Sequence, residues 1–89
     1  MAKRIEARPV TLREAHEVMG RCRPADDAPL HVWLAYHQRG QALYVEIAEV
    51  DRFHHHEALY WANHEREKVA AVQSRIASAG STQDGSGQA

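Results

Sequence analysis

The sequence predicts an all-α domain: a short first helix followed by two longer helices folded back on each other. Three observations carry this reading. Apolar residues recur at spacings of three and four, with no alternating strand signature. Glycine and proline are confined to Pro9, Gly20, Pro24, Pro29, Gly40 and the stretch from Gly80. Two helix-start signals each precede an apolar run.

The first helix is expected at about 11–22. Thr11-Leu12-Arg13-Glu14 fits a capping box, in which hydroxyl and carboxylate satisfy free backbone amides. Leu12, Ala15, Met19 and Cys22 then form one stripe, so Cys22 reads as a packing residue and not as a nucleophile. Pro24 keeps Arg23 out of helical geometry, which ends the helix near Cys22.

The second helix is expected at about 29–50. Asp26 and Asp27 suit a positive helix end, and Pro29 suits a first turn. Leu30, Trp33, His37, Gly40, Tyr44 and Ile47 share one seam, with the alternating spacing of helix-on-helix packing. Gly40 costs about 1 kcal/mol of helix propensity there. It therefore marks a point where a neighbouring helix needs room. His37 in this seam reads as a core histidine satisfied by one hydrogen bond.

The third helix is expected at about 54–77. No proline interrupts residues 30 to 78, so a single helix in an intermolecular coiled coil is the alternative. The seam argues against it. Continued in register, it would bury Asp51, His54, Glu65, Lys68 and Arg75 among Ala58, Trp61 and Val72. A shifted register offers Leu59, Ala62, Val69 and Ile76 instead. This phase change predicts a turn near Asp51–Phe53, with Asp51 capping the third helix. An antiparallel hairpin then sets Ile47 level with Leu59, Gly40 with His64, and Trp33 with Val72.

The domain reading is a flexible N-terminus over 1–8, one helical domain over 9–79 and a disordered tail over 80–89. So small a core is marginal, and a homodimer, as a dimeric bundle, is expected. The net charge of −1 provides no basic field for nucleic acid. Arg4, Arg8, Arg21 and Arg23 read as a solvated face, with no helix-turn-helix signature beside them, and direct nucleic-acid binding is not expected. A lone cysteine fits a reducing compartment, and no apolar stretch reaches membrane-spanning length. A cytoplasmic protein is expected.

Residues 51–64 hold His54, His55, His56 and His64, four of the seven histidines. Adjacent helical residues point about 100° apart, so the three consecutive imidazoles cannot serve one metal. His54 with Glu57, and Glu46 with Glu49, are three apart and share helix faces. These four are the candidate metal ligands, for Zn or Fe. Two such hairpins would compare with carboxylate-bridged bundles, but the Glu-x-x-His order is missing. The favoured reading is a partner-binding surface of Tyr36, His55, His56, Tyr60 and His64, because aromatic residues off the apolar seams mark interaction sites. No phosphate loop or Ser–His–acid arrangement is present, so neither an enzyme nor a cofactor is expected.

The segments Val32-Trp33-Leu34-Ala35-Tyr36-His37 and Ala48 through Phe53-His54-His55-His56-Glu57-Ala58-Leu59-Tyr60-Trp61-Ala62 resemble a family of small actinobacterial proteins with no assigned activity. The resemblance covers roughly residues 9 to 70 and is most specific in the His-His-His-Glu-Ala-Leu-Tyr-Trp string. Genes of that family often lie near helix-turn-helix regulators. The resemblance implies an accessory role beside such a regulator and transfers no catalytic residue. Relatives often carry glycine where Phe53 stands, which supports a turn there.

Overall fold

A computed structural model of the protein describes residues 9–88, with side chains for 9–79. The described residues form three α-helices and no strand: α1 (Leu12–Arg21), α2 (Leu30–Val50) and α3 (His55–Gln88). None of these helices is long and apolar enough to cross a membrane. The expected flexible segment 1–8 lies outside the described residues. So do Ala89 and the side chains of the expected tail from Gly80.

Thr11 caps α1 as its sequence implies. Its hydroxyl accepts the Glu14 N–H at 3.1 Å. Glu14 reaches back one residue further than a capping box requires, accepting the Val10 N–H at 2.9 Å. Leu12, Ala15 and Met19 are buried. Cys22 is not, contrary to expectation: α1 stops at Arg21, and Cys22 becomes an exposed C-cap off the packed stripe.

α2 starts after Pro29 without a side-chain cap. Asp26 pairs instead with Arg23 at 3.6 Å. Gly40, Tyr44, Ile47 and Ala48 are buried. Gly40 does mark a close approach, but α1 supplies much of it: a Cβ there would collide with Met19 Cε and lie 3.2 Å from Glu65 Cγ.

α2 and α3 are separated by Asp51 and a 3-10 turn over Arg52–His54. α3 begins at His55 and runs past the expected end near 77, because no proline follows Pro29 to stop it. His55 Nδ1 donates to the Ala48 carbonyl at 2.7 Å, and His37 meets Glu65 at 2.6 Å. These two contacts set the helices antiparallel. They also bring Glu65, one residue past the expected His64, to the level of His37 and Gly40.

The α3 seam corrects the expected register. Ala58, Ala62, Glu65, Val69 and Val72 are the buried residues, spaced four, three, four and three. Leu59 is 41% exposed and Ile76 36%. The interface thus draws members from both registers. The register that continues from α2 buries charge, but Glu65 has the His37 imidazole across the seam. Among the described residues every buried side-chain polar atom has a partner.

Ile47 is fully buried at the centre, which contributes roughly 1.5–3 kcal/mol. Ala15, Ala48 and Ala58 are equally inaccessible. These small residues let the three helices approach closely where Tyr44 and Ile47 need the remaining space.

Candidate partner-binding surface

Asp51 organises the turn, though not as the cap of the helix that follows it. Its side chain makes no capping bond toward the 3-10 turn. Asp51 Oδ2 instead accepts the Leu12 N–H at 2.9 Å, closing the start of α1. The same oxygen lies 2.9 Å from His54 Nδ1. The Leu12 amide, ahead of the His54 contact, holds the Asp51 carboxyl below the usual carboxylate range.

The three consecutive histidines have three separate situations. His54 is held by Asp51. His55 is half-buried and satisfies an orphan carbonyl at the end of α2 through Ala48. His56 is exposed, with its ring edge-on to His55 at 5.2 Å. Arg52 braces the turn, reaching the Ala48 carbonyl at 3.4 Å and Glu49 at 3.8 Å.

A layer of rings runs from α1 across to α3. His16 Nδ1 lies 2.7 Å from the Tyr44 hydroxyl, and its ring meets Trp61 edge-on at 5.0 Å. Burial, reinforced by Glu65 and Tyr36, pushes the Tyr44 hydroxyl up to about 12, so it stays protonated at neutral pH. Trp61 continues to His64 at 5.3 Å, and His64 stacks on Tyr60 at 6.5 Å with an interplanar angle of 18°. The ring contacts therefore pass from an interior tyrosine to an exposed one. His16 was not singled out in the sequence; its position beside Ala15 gave no ring partner to argue from.

The candidate partner residues separate by exposure. Tyr60 is 63% exposed, and His56 is also exposed. His64 is half-buried beside Tyr60. Tyr36 is drawn inward: it packs against the core and its hydroxyl donates to the Met19 carbonyl at 2.9 Å. Burial raises the Tyr36 hydroxyl above its ordinary value. His55 is likewise committed to the turn. Phe53, absent from the expected surface, is 90% exposed. Phe53, His56 and Tyr60 follow at spacings of three and four, with Leu59 adjoining.

The candidate metal ligands do not converge. Glu49 faces Arg52 and His54 faces Asp51. Glu57 and His54 line one groove of about 510 Å³ with His16 and Glu17, whereas Glu46 lines a different cavity with Pro9 and Leu43. Among the described residues no three His, Cys, Asp or Glu side chains are grouped to hold a metal ion. Comparison with protein-family profiles, with curated proteins and with solved structures gives no match.

Proposed function

We propose that this chain is a non-enzymatic interaction module. It would engage a protein partner through the outer face of the turn and the first turns of α3. One observation carries the reading: Phe53 at 90% and Tyr60 at 63% exposure are large aromatic side chains left in water. Leaving them there forgoes burial that such rings would otherwise gain. Leu59 and His56 adjoin them, and His64 braces Tyr60 from behind. Aromatic anchors with a polar surround are the usual energetic centre of an interface. The partner class is a helix-turn-helix regulator in the cytoplasm, as the family resemblance implies.

The test is capture from a native-host lysate with wild-type chain and with a Phe53→Ser/Tyr60→Ala double variant. Both side chains are exposed, so circular dichroism should show the variant folded. A regulator retained by wild type and lost by the variant supports the reading. Identical partner sets refute the face. If wild type is dimeric by light scattering and the variant monomeric, the face joins two copies of this chain instead.

A further inference from the structure

The end of the α2–α3 pair remote from the turn carries a second feature of different chemistry. A groove of about 360 Å³ opens there, lined by Leu30, Trp33 and His37 of α2 and by Lys68, Ala71, Val72 and Arg75 of α3, with Asp26 at its edge. That volume lies within the range of small-molecule sites. The lining follows helical spacing on both sides: 30, 33 and 37 against 68, 71, 72 and 75.

The floor is apolar and rigid. Val72 is buried, and Leu30 and Trp33 are half-buried. Trp33 is held from two directions. The Arg23 guanidinium lies 5.0 Å from its ring centroid, and the His37 ring stacks on it at 5.7 Å and 27°. His37 is itself fixed by Glu65 at 2.6 Å. The indole is thus positioned before any ligand arrives.

The rim is cationic. Lys68 and Arg75 are both exposed, and among the described residues neither has an ion-pair partner. Asp26 does not neutralise them, because it is 3.6 Å from Arg23. The groove therefore joins an apolar, aromatic floor to two uncommitted positive charges.

We propose that this groove binds a small amphipathic organic anion, with an aryl or alkyl body on Trp33, Leu30 and Val72 and a carboxylate between Lys68 and Arg75. The chemistry asks for both parts. An apolar body alone would leave the cations unused, and a small inorganic anion would leave the floor wet. Charge-assisted hydrogen bonds to a carboxylate are the stronger kind, and an arginine can grip it with two parallel bonds.

The test uses 4-phenylbutanoate as probe, 4-phenylbutanamide as its neutral counterpart, and nitrogen-15 correlation spectra of the full chain. Saturable shifts of the Trp33 indole N–H and of the Ala71 and Val72 amides are expected with the acid. The amide should bind about tenfold more weakly, as should the acid to a Lys68→Gln/Arg75→Gln variant, the loss expected for a charge-assisted contact. Both replaced side chains are exposed, so the variant's spectrum should otherwise overlay the wild type. Absence of saturable shifts at Trp33 at millimolar acid would overturn the proposal. So would equal affinities for acid and amide together with indifference to the charge variant.

Discussion

The chain uses one pairing twice, a histidine Nδ1 against a carboxylate, and the two copies behave differently. Asp51–His54 is a local contact three residues apart at 2.9 Å, with the histidine side chain 44% exposed. His37–Glu65 joins α2 to α3 across 28 residues at 2.6 Å, with side-chain exposures of 13% and 11%. In the first pair water can reach the histidine, although the Asp51 side chain is only 11% exposed. In the second both partners are shielded. Identical chemistry is therefore a fastening at the turn and a structural commitment in the seam.

The sharpest way to break that contrast is to remove one member of the interior pair. Glu65→Ala should destabilise by about 3 kcal/mol, because the loss of one partner strands a buried polar group. His37→Leu/Glu65→Leu together should recover most of the loss, since two apolar groups leave nothing unsatisfied. Urea midpoints measure both. If Glu65→Ala costs no more than a surface substitution, the seam is wetter than the geometry requires.

Next in size is the notch beside that pair. Gly40→Ile should cost about 2 kcal/mol through overpacking, since Met19 and Glu65 already fill the space its side chain would need. A variant that unfolds at the wild-type midpoint would mean that α1 can lift away without cost.

Asp51→Asn should have a smaller effect, concentrated on α1. The folded carboxyl titrates below its unfolded value, so its stabilisation is complete above the unfolded carboxylate range and disappears as pH falls through the folded value. Wild-type and variant stabilities should differ at neutral pH and converge in acid. Urea melts from neutral pH to about pH 2, below the ordinary carboxylate range, would show it. A constant offset across that range would contradict the assignment.

The smallest stability effect is expected at the exposed face. Tyr60→Ala should change stability by less than about 0.5 kcal/mol while weakening partner capture. A loss as large as that for Glu65→Ala would make Tyr60 a core residue and remove its role as an anchor.

Much of the helical layout was legible because it rests on local chemistry. Thr11 and Glu14 announce the start of α1, and the apolar phase change announces a break near Asp51. The interior pair was not legible, for a physical reason. A charged residue argues against burial only while its partner is unknown, and the partner of Glu65 lies 28 residues away. The same holds for Asp51, which was expected to serve the helix beside it. Surface residues were harder still. Tyr36 and Tyr60 look alike in sequence, yet one hydroxyl is taken by Met19 and the other ring faces solvent. Phe53 lies in the predicted turn, and nothing local in the sequence indicates that its ring is 90% exposed.

The bond from the Leu12 amide to Asp51 spans 39 positions. During synthesis α1 leaves the ribosome before α2 and α3, but the carboxylate that closes its first turn is made only after the whole of α2. The groups that hold its far end, the Gly40 notch and the Tyr36 hydroxyl, also come later in the chain. A helix of ten residues is too short to persist alone in water. The first of the three described helices to be translated is thus among the last of them to settle, and translation pauses before residue 51 would leave it without its clasp.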